Sequence, residues 1–227
     1  MCFSASASFV ASALLIPTGI YCLKQATTNN NRYIPLASIP LFFGTQQLFE
    51  GFVWLNIAAD NAIAVTNFSF CFLFFSHFFW PFWIPFSAFY AEETRPRKTI
   101  LQVLATVGFV YGISLYVPLF FQDDWLKTEV VNHSINYITD YFLNQTTFQN
   151  FGFYLYAVLI FVPLLLASRR KIQLLGVFFM TTASATILVY YATFISTWCF
   201  MAALSSLYLI YVLKNTTDLD LSQSKTS

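Results

Sequence analysis

Between Ser6 and Leu213 the chain offers seven apolar stretches, separated by short polar breaks and one longer loop, 122–150. Each is near the roughly 20 residues that a helix rising 1.5 Å per residue needs to cross about 30 Å of hydrocarbon. The stretches are Ser6–Leu23, Tyr33–Ile57, Ala62–Tyr90, Thr99–Phe121, Phe151–Ser168, Ile172–Ala192 and Phe194–Leu213. Only Thr193, Ser196 and Thr197 mark the last break, so six spans are the main alternative. Composition agrees with a lipid solvent: 58% of residues are apolar and 9% are charged, against about 25% charged in soluble domains. Too few polar groups are present to cover a globular surface of this size. The expected fold is therefore an all-α polytopic membrane bundle of seven transmembrane helices.

Orientation follows from the basic residues, which concentrate on the cytosolic side of membrane proteins. With the N-terminus outside and the C-terminus cytosolic, the inner segments hold Lys24, Arg32, Arg95, Arg97, Lys98, Arg169, Arg170, Lys171, Lys214 and Lys225, and the outer segments hold Lys127 alone. The outer loop 122–150 is acidic instead, with Asp123, Asp124, Glu129 and Asp140. Its apolar residues Val130, Ile135, Ile138 and Phe142 approximate a helical stripe and suggest a segment lying along the membrane surface. Residues 1–214 form a single transmembrane domain, and 215–227 read as a disordered cytosolic tail. No basic patch suggests nucleic acid, and the N-terminal run lacks the marks of a cleavable leader.

Chemistry has few places to reside. Glu50 is the only acidic residue well inside a span, where a charge costs on the order of 2.5–3.5 kcal/mol on insertion scales. Gln46 and Gln47 precede it by four and three residues and Trp54 follows by four, which puts all of them on one helical face. His77 is the only histidine within a span. It opens the run His77-Phe78-Phe79-Trp80-Pro81-Phe82-Trp83-Ile84-Pro85, whose aromatics, Trp80 among them, suit a cavity or a lipid-facing surface equally well. By depth, His77 lies about two turns from Glu50, so a relay through Gln46 or water is easier to draw than a direct pair. The hydroxyls of Thr181, Thr182, Ser184, Thr186, Ser196, Thr197, Ser205 and Ser206 read as bonded to carbonyls of the preceding turn. Cys71 and Cys199 leave a disulfide open, while Cys2, Cys22, Cys71 and Cys199 match no metal spacing.

The opening Met1-Cys2-Phe3-Ser4-Ala5-Ser6-Ala7-Ser8-Phe9, with Gln46-Gln47-Leu48-Phe49-Glu50-Gly51-Phe52-Val53-Trp54, resembles an uncharacterised family of small bacterial multipass proteins. The resemblance extends over most of the chain. It implies a bacterial cytoplasmic membrane and draws attention to Cys2, Ser4, Ser6 and Ser8, but supplies no activity.

The residues fit small-solute or proton transport through the bundle best, with Gln46, Gln47, Glu50, Trp54, His77 and Trp80 as ligand-binding or proton-relay candidates. The alternatives are a membrane module that binds or senses a hydrophobic ligand and, after it, an intramembrane enzyme. Three-histidine zinc catalysis is disfavoured because His133 is the only other histidine. No catalytic residue, metal or cofactor is expected, and the partners expected are the bilayer and a small solute, a proton or a hydrophobic ligand. The sequence leaves the oligomeric state open.

Overall fold

A computed structural model describes residues 4–121, 126–139 and 146–214. Phe142, the C-terminal tail and Cys2, all read above from sequence, lie outside the described residues. Among the described residues, seven helical rods follow one another. They are α1 (Ala5–Asn29); α2 (Ile34–Ala37) continued by α3 (Ile39–Ala58); α4 (Ala62–Leu73) joined to α5 (Trp80–Ala91); α6 (Arg95–Tyr116); α7 (Thr146–Leu166); α8 (Arg170–Val189); and α9 (Phe194–Ser205), extended to Lys214. Five of the rods are long and apolar enough to cross a membrane by length and composition. Of the other two, α3 has the length but carries Gln46, Gln47, Glu50 and Asn56, and α7 has a described apolar run of only Phe151–Leu166. The break between α8 and α9 is a 3-10 turn at Tyr191–Thr193, so the two are separate helices. Large apolar side chains such as Val10, Ile20, Ile63, Val110, Phe151 and Leu188 stand exposed around the bundle, the distribution expected of a surface facing lipid rather than water.

Small residues let the rods approach closely. A Cβ at Gly19 would fall 2.4 Å from the Leu41 nitrogen, and one at Gly51 would fall 2.6 Å from the Phe9 ring, so α1 and α3 are held antiparallel at backbone contact. Gly108 and Gly112 form a small-xxx-small pair on α6. A Cβ at Gly108 would lie 2.0 Å from the Pro81 carbonyl oxygen, and one at Gly112 2.8 Å from that of Phe78.

That close contact falls on the most irregular rod. Between α4 and α5, residues Phe74–Phe79 form a π-turn, in which the Trp80 N–H donates to the Phe75 carbonyl rather than to that of Ser76. Pro81, one residue on, has no N–H to give, so the His77 carbonyl also loses its regular partner. The Ser76 carbonyl thus freed accepts a hydrogen bond from the Tyr156 hydroxyl of α7 at 2.7 Å. π-turns of this kind recur at functional sites, and this one carries His77.

The loop between α6 and α7 differs from the sequence expectation. In place of a surface helix, Leu126–Val131 (β1) and Ser134–Thr139 (β2) pair antiparallel, with Val131 opposite Ser134. The two-residue turn places Asn132 at φ 48 and His133 at φ 62, the doubly left-handed backbone of a type I′ hairpin. β-Branched residues make up half of each strand, and on β2 Ser134, Ile135 and Tyr137 are buried. The hairpin packs onto the bundle. Tyr137 stacks on Phe72 at 4.8 Å, Ser69 and Thr128 share a hydrogen bond of 2.9 Å, and Ile135 joins a buried cluster with Val53, Leu73, Leu119 and Cys199.

Candidate functional site

Beneath the hairpin, α3, α5 and α9 converge on a polar cluster walled off from solvent. Gln46 and Gln47 are fully buried, and Glu50 is 2% exposed. Gly44 and Gly51 bracket them on α3 and keep α1 close, which closes one side. α9 closes another: the Ser196 hydroxyl donates to Glu50 Oε1 at 2.5 Å. On the third side the Trp80 indole N–H donates to Gln46 Oε1 at 2.8 Å, and Phe43 stacks on the same indole at 3.9 Å.

What distinguishes the cluster is how many of its polar atoms go unmet. Among the described residues, Gln46 Nε2, both carboxamide atoms of Gln47 and the Tyr137 hydroxyl are buried without a hydrogen bond of good geometry. Buried polar atoms are ordinarily satisfied, and each exception calls for a reason. Tyr137 links the hairpin to the site: burial first, and then the Glu50 charge close by, push its hydroxyl well above the usual tyrosine range. Cys199 of α9 also lies beside the cluster, in reach of Gln46.

The candidates read from sequence divide accordingly. Gln46, Gln47, Glu50 and Trp80 come together. Trp54 is half-buried and packs instead against the cluster formed by Val53, Phe72 and Leu119. His77 is buried on the π-turn, where its Nδ1 meets the Ser76 hydroxyl at 3.0 Å, and it faces a different cavity. That cavity, of about 160 Å³, is bounded by α6, the π-turn, α7 and α9, and Cys199 lies in its wall. Cys199 therefore stands between the His77 side and the Glu50 side. The partner of Gln46 on the third rod is Trp80, three residues after His77.

Ser196 is the residue that sequence reasoning missed, having been grouped with hydroxyls bonded to their own helix. On α8 that reading holds: Thr181, Thr182, Ser184 and Thr186 each donate to the carbonyl four residues back, as Ser205 and Ser206 donate to carbonyls of the preceding turn, whereas the Thr197 hydroxyl meets that of Thr193 at 3.3 Å. Nothing in the sequence separates Ser196 from them. Cys71 and Cys199, left open to a disulfide above, are free thiols. Among the described residues, no group of three or more His, Cys, Asp or Glu side chains gathers where it could hold a metal ion.

A second buried carboxylate, Glu92, lies between α5 and α6 at the opposite end of the bundle. Its Oε1 accepts from the N–H groups of Glu93 (3.0 Å) and Thr94 (2.8 Å) and from the Ser168 hydroxyl (2.6 Å), and its Oε2 accepts from the Ser168 N–H (2.8 Å). Burial pushes this carboxyl up, but the donors from Ser168 and Thr94 outweigh it and hold it at about 2. Arg97 adds a bond to Ser168 at 2.9 Å, and Glu93 pairs with Arg32 at 2.9 Å. The loops preceding α2, α6 and α8 are thereby tied together.

Length, apolarity and exposed aliphatic surface place the molecule in the class of membrane-embedded helical bundles. Within that class the chain belongs to the family of unknown function DUF6629, whose model matches residues 1–223. The resemblance carried by the opening phrase and the α3 phrase is thus to an uncharacterised family, as expected. No curated protein and no solved structure matches the chain.

Proposed function

We propose that this protein is a seven-span protein of a bacterial cytoplasmic membrane, with its N-terminus outside and its C-terminus cytosolic. In this reading it moves protons or a small solute, with Glu50 as the group that takes up and releases a proton. The observation that carries the reading is the Glu50 cluster: a fully enclosed carboxylate whose one hydrogen bond of good geometry comes from Ser196, with the Gln47 amide in looser reach and Gln46 Nε2 making no bond of good geometry. A structural carboxylate would be expected to gather donors as Glu92 does. A carboxylate that must change charge cannot be surrounded by groups that suit only one charge state. The ten-to-one split of basic residues supports the orientation.

Both ends of the bundle support an occluded resting form. The hairpin covers the cluster on one side through Tyr137, and the Glu92–Ser168 and Arg32–Glu93 contacts tie the loops on the other. Transport then requires these two closures to open alternately, and Tyr137, Ser196 and Cys199 are the first groups that a solute or water would meet.

The test is proton flux in proteoliposomes containing a pH-sensitive dye, for wild type and Glu50→Gln. Flux in wild type that drops at least tenfold in a folded Glu50→Gln protein supports the proposal. Equal flux in both removes Glu50 from the mechanism. The absence of flux in wild type under an imposed proton gradient rules against proton movement and leaves the binding or sensing module as the better reading.

A further inference from the structure

The cavity beside His77 has a character unlike that of the Glu50 cluster. We propose that it is a binding site for a small, uncharged, hydrophobic molecule the size of a single aromatic ring, which enters from the hydrocarbon between α6 and α7. Size argues first. At about 160 Å³ the cavity is smaller than the roughly 300–1,000 Å³ of sites for drug-sized ligands, and close to the roughly 150 Å³ of apolar cavities that stay dry and take up benzene.

Wall chemistry argues second. The hydroxyls lining the cavity are already engaged by the protein: Tyr111 donates to the Gly152 carbonyl at 2.8 Å, Tyr156 donates to that of Ser76 at 2.7 Å, and the Ser76 hydroxyl meets His77. A polar guest would give up its bonds to water and gain few here, so the site favours apolar guests. Beside the His77 imidazole and the Cys199 thiol, the remaining surface is aromatic and aliphatic. Phe194 and Trp198 lie parallel at 5.7 Å, with Phe153 edge-on to Phe194 at 5.9 Å, which offers both faces and edges to a ring.

Access argues third. Gly152 and the exposed Phe153 stand at the rim, where a Cβ at Gly152 would meet only the Tyr111 hydroxyl within contact range, at 3.1 Å. A larger side chain there would narrow the entrance. The inference does not depend on Glu50 carrying a proton, although Cys199 in the wall gives the two sites a common neighbour.

Bromobenzene is a suitable probe because its heavy atom quenches tryptophan fluorescence on contact, and Trp198 lines the cavity. With purified protein in detergent, wild type should show saturable quenching, on top of any linear quenching of lipid-facing tryptophans. Gly152→Phe at the rim and Leu115→Phe in the wall should each weaken the saturable component at least tenfold. Trp198→Phe should abolish it, and Val10→Phe on the exposed face of α1 should leave it unchanged. If Gly152→Phe does not fold, Leu115→Phe decides the matter. Purely linear quenching in wild type would overturn the proposal, as would saturable quenching that the filling variant leaves intact.

Discussion

The molecule buries two glutamates, and it treats them in opposite ways. Glu92 accepts four hydrogen bonds, two from its own loop and two from Ser168 of the loop before α8, while Glu50 accepts one of good geometry, from Ser196, with the Gln47 amide in looser reach. Burial of a charge is costly in either place. At Glu92 the donors offset that cost, so the ionised form is part of what holds the loops together. At Glu50 no comparable set offsets it, and the fold tolerates a site that stability alone would not select. The difference separates a carboxylate kept for architecture from one kept for its chemistry.

The sharpest way to break this comparison is at Glu92. Glu92→Ala leaves the Ser168 and Thr94 donors without an acceptor and is expected to cost about 3 kcal/mol, read as a lower thermal midpoint in detergent. A loss below about 1 kcal/mol would show that the four bonds do not stabilise the fold.

Acidity gives an independent reading of the same group. The folded-state value of about 2 lies below the ordinary 4.5, so its contribution is fully present above about pH 4.5 and is lost as the pH falls towards 2. The stability gap between wild type and Glu92→Ala should therefore be constant from pH 7 down to about 5 and shrink below that. A gap independent of pH would mean that the ionised form is not what the loops hold. Ser168→Ala, which removes one donor and the Arg97 contact, is expected to cost about 1 kcal/mol. At the other site Gln47→Leu should be neutral or stabilising by up to about 1 kcal/mol, because neither polar atom it removes makes a hydrogen bond of good geometry. A loss of 2 kcal/mol or more would show that Gln47 has a partner on which the fold depends.

Much of this architecture can be read along the chain, and the parts that cannot are those made by distant residues. Hydropathy marks the rods because each rod must present an apolar surface whatever its neighbours are. Glu50, Gln46 and Gln47 stand out because they are polar where α3 ought to be apolar. Ser196 does not, since a serine bonded to its own helix and one bonded to a carboxylate 146 positions away look alike in sequence. The hairpin was legible in principle from Thr128, Val130, Val131 and Ile135 flanking Asn132, but sparse apolar residues in a short segment also fit a helical stripe. Glu92 was hidden by its position beside Glu93 and a basic flank, where an acidic residue reads as solvated.

Thermal unfolding of Glu50→Gln beside wild type at neutral pH tests the central claim most directly. If Glu50 is held under-satisfied for its chemistry, the neutral amide should be as stable as wild type, or more stable by about 1 kcal/mol, while Glu92→Ala in the same assay loses about 3. A Glu50→Gln protein that loses as much as Glu92→Ala would show that Glu50 is a structural tie between α3 and α9, and the contrast between the two carboxylates would be gone.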